Sequence, residues 1–366
     1  DSVSMSVRDA GGVINTLLHP VVQVRRDANG VAREVMAPST QSEGGQAESY
    51  IQIQCMGLVQ NPDELEQTIQ AVLQDVLVVV KDYDAMQQRV EDTVALMDER
   101  PAGCDPSDFD EAQAFMTWLK AHNFTFLGYR EHKVNEDDTF SPVEGTGLGL
   151  LRDDLPSKDP EGFVAPAAEL DKYAQSARLL VVTKGNRRSW IHHPEYMDVV
   201  TVKALDADRR VVGTHRFVGL FSSDAYATSP SLIPVLRQKV SDVTARARLR
   251  PGSHAAKNLH EILEGFPRDE LFQSAEDELF KAATGILNLR ESTRLRLFQR
   301  RDRYGRFYSS LVYMARDRFS KESREHIGER LMQLLNGDEV ESQVEFLRNG
   351  MVRIHYMVRT PPGTRV

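Results

Sequence analysis

The closing quarter of the chain carries helix and strand periodicities in an order that few folds can accommodate. Its centre is Arg294–Arg318, RLRLFQRRDRYGRFYSSLVYMARDR, where Leu295 and Leu297, then Phe307, Leu311 and Tyr313, recur with a period of two around a turn at Asp302–Gly305. That is the pattern of a β-hairpin. From Ser320 to Leu335 the period lengthens to that of a helix, with Ile327, Leu331, Leu334 and Leu335 on one stripe and Asn336-Gly337 as the stop. Two more alternating stretches, Val340–Arg348 and Met351–Arg359, flank Asn349-Gly350, the strongest two-residue hairpin signal. A helix over Ser274–Leu289 precedes the set, with Ser274 and Asp277 as its capping signal and Leu279, Phe280, Ala283, Ile286 and Leu287 as its apolar stripe. Helix, strand, strand, helix, strand, strand is the order of a ferredoxin-like unit begun at its first helix. Met351–Arg359 can then take the place of the missing first strand.

The same cycle recurs upstream without recurrence of residues. Val3 and Val7 suggest a short opening helix, Val13–Val24 a strand and Ser49–Cys55 its partner, with a Gly/Ser/Gln-rich loop between them. Asn61, Pro62 and Glu64 then cap a helix whose apolar side runs from Leu65 to Met97. Unbroken to Arg100 it would span roughly 55 Å at about 1.5 Å per residue, too long for one small domain and suited to linking two. After PAGCDPSD a second cycle opens with a helix at Phe109–Ala121 and a strand at Phe124–Val134. A polar segment follows to Ala174, then strands at Arg178–Thr183, Ser189–His193, Asp198–Ala204 and Arg210–Phe221, and a closing helix near Pro230–Ala247. Pro230 and Pro234 are tolerable only in or before its first turn. The expected fold is α+β: three consecutive ferredoxin-like modules, antiparallel sheets with helices on one face, the C-terminal one in circularly shifted order. The divisions are 1–100, 105–250 with an enlarged sheet, a helical connector at 251–273, and 274–366.

Charge and motif content narrow the chemistry. The net charge of −9 opposes nonspecific nucleic-acid binding, which rests on cationic neutralisation of phosphate. Only the hairpin runs the other way, eight arginines less two aspartates giving +6. No apolar run approaches the roughly 18 residues of a membrane span, and the opening residues lack the basic and apolar parts of a signal peptide. Cys55 and Cys104, the two cysteines, offer no disulfide framework or thiolate site. A cytoplasmic location is the default expectation.

Gly145-Thr146-Gly147-Leu148-Gly149 has the wrong spacing for a dinucleotide fingerprint and no helix pattern after it. No GxxxxGK[ST] or GxSxG sequence occurs. His260-Glu261 with Glu264 lacks the second histidine of a zinc motif and sits in an amphipathic helix with Leu259, Ile262 and Leu263. His192-His193 has only Glu195 nearby as a further ligand type. No catalytic, cofactor-binding or metal-binding residue is assigned. Arg303–Tyr308 resembles the aromatic motif of RNA-recognition domains, with Arg306 where that motif wants a small residue. Alternation places Leu295, Leu297 and Leu311 under the helices, and leaves Arg294, Arg296, Phe298 and Arg300 on an open face with Arg353 and His355. That face is either solvated or packed against another domain, or it is an anion pocket in which Arg294, Arg296 and Arg353 hold a carboxylate effector.

Several stretches, spread in order along the whole chain, resemble the large bacterial NAD-specific glutamate dehydrogenase family. They include HPV with VRRD at His19–Asp27, NFTFLGYR at Asn123–Arg130, HRFVGLF at His215–Phe221, PRDELFQ at Pro267–Gln273, RRDRYGR at Arg300–Arg306 and VRTPPGT at Val358–Thr364. The resemblance implies an N-terminal region of ACT-like regulatory modules, which bind small amino acids and assemble through their sheets. It implies a parent enzyme that oxidatively deaminates L-glutamate with NAD, works as a homo-oligomer, and keeps its dehydrogenase core C-terminal to this region. It also implies a further first strand for the first module. The resulting expectation is a regulatory and oligomerisation segment sensing an amino acid, with NAD a cofactor of the parent only. The alternatives are a scaffold without a ligand and an RNA-binding module.

Overall fold

The computed structural model describes residues 1–37, 45–57, 61–102, 104–137, 139–155, 178–289, 295–347, 349–361 and 364. They form two compact units, one from 1–80 with 188–195, the other from 81–187 with 196–366.

In the first unit α1 (Ser2–Asp9) leads through β1 (Val13–Leu18), β2 (Val21–Arg26), β3 (Ala32–Met36), β4 (Gln46–Ser49) and β5 (Gln52–Met56) to α2 (Pro62–Lys81). β1 pairs with β5, and β2 with both β3 and β4, all antiparallel. The strand expected over Val13–Val24 therefore finds its expected partner but is interrupted at His19-Pro20, opposite Tyr50-Ile51. Proline has no N–H to donate to a ladder; the Pro20 carbonyl still accepts the Tyr50 N–H at 3.0 Å. No strand forms at Ser189–His193. Instead Trp190 donates its indole N–H to Asp75 of α2 at 2.7 Å, and the Ser189 hydroxyl donates to the Ile191 carbonyl at 2.6 Å.

The helix expected over 61–100 begins as anticipated, the Asn61 side-chain oxygen accepting the Glu64 N–H at 3.3 Å. It stops at Lys81 and restarts as α3 (Tyr83–Asp98), with Asp82 at φ −92° and ψ 2° between the two. The cause is tertiary. Buried Asp82 accepts the Gly149 N–H at 2.8 Å and pairs with Arg152 at 3.3 Å, bonds that no local pattern encodes.

The second unit continues with α4 (Pro106–Trp118), a π-helical turn at Leu119–Asn123, β6 (Phe124–Val134), β7 (Phe140–Pro142), β8 (Leu148–Gly149), β9 (Leu180–Arg188), β10 (Tyr196–Leu205) and β11 (Val211–Phe221). These strands order as β7-β6-β11-β10-β9, with β8 added to β6. β9, β10 and β11 form a meander and β6 lies along β11. This differs from the ferredoxin-like order expected for the middle of the chain, because β9, β10 and β11 follow one another with no helix between them, the β10–β11 turn being closed by the Asp206 N–H on the Arg210 carbonyl at 3.0 Å. Aromatic rings fill the core, Phe221 stacking on Phe272 with centroids 4.7 Å apart and Phe115 meeting both edge-on. Fully burying residues such as Phe126, Leu127 and Phe217 is worth about 1.5–3 kcal/mol each.

After α5 (Ser223–Ala227) come α6 (Leu236–Arg246), α7 (His254–Glu264), α8 (Arg268–Gln273) and α9 (Glu276–Leu287), then β12 (Arg296–Arg301), β13 (Phe307–Ala315), α10 (Lys321–Leu334), β14 (Glu339–Phe346) and β15 (Met351–Arg359). Both prolines of the expected 230–247 helix precede α6. The cap of α9 is Ala275, not Ser274, and its N–H donates to Glu278 at 2.9 Å. The last four strands form an antiparallel sheet in the order β12-β13-β15-β14.

This sheet carries helices on both faces, not one. On the first, Tyr308, Val312, Met314, Val352, Ile354, Tyr356 and Val358 pack against Leu331 and Leu335. On the second, Arg300 reaches Glu270 of α8, and the Phe298 ring lies over Gly285 of α9, where a Cβ would come within 2.4 Å of it. The face expected to be open is thus covered as well, and Leu311, paired with Phe298, lies on it. Leu295 and Leu297, expected under helices, are 49% and 45% exposed. α10 packs on β14 and β15 and leaves the edge strand β12 uncovered.

Candidate functional site

A cavity of about 180 Å³ opens within the second unit where its two sheets and the helices after β11 converge. Its walls are Arg178 and the first residues of the edge strand β9, Val235 and Lys239 of the α6 region, the α8–α9 junction from Phe272 to Glu276, and Arg300, Asp302 and Arg303 from β12 and its turn. Val235 is held at φ +69°, a conformation that is strained for a β-branched residue. Its N–H donates to the Glu111 carboxylate at 2.7 Å, and that anchor sets where α6 starts. Lys239, on the second turn, is thereby aimed inward.

The Lys239 ammonium is buried and donates to the carbonyls of Leu271, Phe272 and Ser274 at 3.0, 2.8 and 3.0 Å. Burial, and then the guanidiniums of Arg178 and Arg303, depress its pKa to about 7. Arg300 donates to both oxygens of Glu270 at 3.0 and 2.8 Å. Burial pushes the Glu270 carboxyl up, but Arg300, His355 and Ser309 together outweigh it and hold the group at about 2. Asp302 is paired with Arg306 at 2.7 Å. Arg178 is paired with Glu276 and lies 3.7 Å from Asp108. Arg303 is exposed, with no carboxylate against it among the described residues. Among the described residues, the cavity therefore keeps two cations, Lys239 and Arg303, with no carboxylate paired to them. Such a wall can hold an anion and offers no nucleophile set against a base.

Beside it lies a second buried charge cluster. Lys184 is 2.9 Å from Asp198 and 3.2 Å from Asp269, whose other contact is the Tyr226 hydroxyl at 3.1 Å. Burial raises the Asp198 pKa to about 7, with Asp269 adding to the rise and Lys184 opposing it. One ammonium cannot neutralise two carboxylates, so the more deeply buried one holds its proton longer. Among the described residues no group of three or more histidine, cysteine or carboxylate side chains could hold a metal ion.

Of the arginines read from the sequence as an anion pocket, Arg294 lies outside the described residues. Arg296 is exposed on β12. Arg353 is buried, paired with Glu345 and donating to the Gly265 carbonyl at 2.5 Å. The structure brings Arg300 and Arg303 to the cavity instead, together with Lys239. A signal for Lys239 was available: it shares the stripe of Leu236, Val240 and Val243, so a helical wheel puts its charge on the apolar side. Gly145–Gly149 forms a turn and the short strand β8. Phe307 and Tyr308 of the RNA-like motif are 1% and 6% exposed, which leaves them no face on which to stack a base.

Three family models match this chain: "Glutamate dehydrogenase, ACT1 domain" over residues 1–73, "Glutamate dehydrogenase, helical motif 1" over 233–292 and "Glutamate dehydrogenase, ACT2 domain" over 296–366. An NAD-specific glutamate dehydrogenase of Halomonas elongata is 34% identical over 98% of this chain and 23% of its own length. That of Pseudomonas aeruginosa is 33% identical over 100% and 23%, and that of Mycobacterium tuberculosis 27% over 99% and 21%. The chain spans less than a quarter of the length of these relatives. A crystal structure of PelD from Pseudomonas aeruginosa aligns at 13% identity over 76% of this chain and 78% of that one, with a TM-score of 0.18, too low for a shared fold to be read from it.

Proposed function

The chain belongs to the NAD-specific glutamate dehydrogenase family, and from that premise we propose that it is the N-terminal regulatory and assembly segment of such an enzyme. The parent would convert L-glutamate, NAD and water to 2-oxoglutarate, ammonia and NADH in the cytoplasm, through a core further along the same polypeptide. This segment would sense a small amino acid. One observation carries the reading: the cavity is lined from both the helical-motif match and the ACT2 match. A ligand there contacts both and can stabilise one arrangement of them, so it can bias an equilibrium shared with a distant core.

The strand order supports a ferredoxin-like reading of the last module. In a split βαβ unit the third strand lies between the first and second, with the fourth outside the first. Giving β15 the first place, β12 the second, β13 the third and β14 the fourth reproduces the observed order. The first module, matched as ACT1, is proposed to be of the same kind.

An assembly role has its own support. On the β1–β5 pair Val13, Leu18 and Met56 are 59%, 54% and 58% exposed, Val13 directly opposite Met56, an apolar two-stranded edge that a second copy can cover. A thermal-shift screen of this chain against the proteinogenic amino acids tests the sensing role, since a ligand that binds only the native state raises its melting temperature. A rise for at least one is expected. No shift with any of them leaves the scaffold reading. Arg296→Ala and Arg353→Ala locate the site, because loss of the shift in either would move it from the cavity to β12 and β15.

A further inference from the structure

We propose that the cavity between β9, the α8–α9 junction and the β12–β13 turn is a binding site for a small dicarboxylate, the acidic amino acids among them, held by Arg303 and by the field of Lys239. This deepens the sensing role above and rests on it. Size is the first constraint. About 180 Å³ is roughly ten times what one water needs yet below the roughly 300–1,000 Å³ of a drug-sized site, so a ligand of a few carbons fits and a nucleotide does not. Charge is the second. Arg300 and Arg178 are each matched by a carboxylate, and Asp302 is taken by Arg306. Among the described residues Lys239 and Arg303 remain, and two negative charges balance them. Arg303 is the exposed partner: it stands at the rim, on the turn that Gly305 closes at φ +69°, and can meet a carboxylate as a bidentate donor.

Lys239 acts differently, because its hydrogens already point at three carbonyls. The groups facing it are Arg178 ahead of β9, Arg300 and Arg303 from β12 and its turn, and Glu276 of α9. Burial first, and then the three cations among these four, destabilise the ammonium before a ligand binds. A dianion reverses that balance. Binding then draws a proton onto Lys239 near neutral pH and tightens the three-carbonyl clamp on the α8–α9 junction. In this way occupancy of the cavity is communicated to the helical motif.

The test is calorimetric titration of the 366-residue chain with succinate, and separately with inorganic phosphate, at pH 6.5 and pH 8.5. Succinate binding is expected, tighter at the lower pH, and weakened roughly tenfold or more in Arg303→Ala, a rim substitution expected to leave the unliganded melting temperature unchanged. In Lys239→Met the pH dependence disappears. Equal succinate affinity in Arg303→Ala, no succinate binding, or phosphate binding as tightly as succinate would each overturn the proposal. If amino-acid thermal shifts persist in Arg303→Ala, sensing stands and this site falls; if no amino acid shifts the native chain, the sensing role itself falls.

Discussion

Glu270 shows how one buried charge can organise several elements. It sits on α8, 3% exposed, and receives two bonds from Arg300 on β12, with His355 of β15 at 3.7 Å. A carboxylate there survives only because its partner is bidentate and the remaining lone pairs are also engaged. Replacing one member leaves the other buried and charged, which costs about 3–5 kcal/mol. Glu270→Gln should lower the urea midpoint accordingly, and a loss under 1 kcal/mol would mean that the pair is dispensable. The acid response has a definite sign. The folded pKa near 2 lies below the ordinary glutamate value of 4.5, so this contribution is fully present above pH 4.5 and lost as pH falls toward 2. It amounts to about 3 kcal/mol. Stability measured from pH 6 down to pH 2.5 should fall more steeply in the native chain than in Glu270→Gln.

Elements were legible wherever the local code is strong. Asn349-Gly350 and Asp302–Gly305 turn their hairpins as read, with Gly350 and Gly305 at φ +77° and +69°. Ser320 caps α10, its hydroxyl accepting the Ser323 N–H at 3.0 Å. What failed was the span between α2 and α3, where every residue from Pro62 to Asp98 is compatible with one helix. Asp82 breaks it for the sake of the Gly149 N–H. Asp82→Ala tests the balance. Alanine is the better helix former by up to about 0.7 kcal/mol, but an unpartnered buried N–H costs about 1–3 kcal/mol. Net destabilisation is therefore expected in chemical denaturation; an unchanged or raised midpoint would show that the break is not held by this bond.

At the scale of the whole molecule, the chain supplies sheets, helices and an electropositive cavity without a constellation for hydride transfer among its described residues. Incubated with L-glutamate and NAD, it should produce no NADH at 340 nm; turnover would contradict a segment that serves a core elsewhere. The sequence by itself determined the two hairpins of the final sheet, the helix between them and the family resemblance, because turn chemistry and periodicity act within a few residues of their cause; the cap of α9 and the pairing of β13 with β15 were not fixed that way. Which face of that sheet would be open was a tertiary decision. Arg296, Phe298, Arg300, Arg353 and His355 do share a face, as alternation requires, yet Glu270, Gly265 and Gly285 come from segments before β12 to cover it. An arginine row reads the same whether water or a buried carboxylate faces it, and only the packed partner decides between them. Lys239 became part of a cavity for the same reason: three carbonyls more than thirty residues away were folded against it.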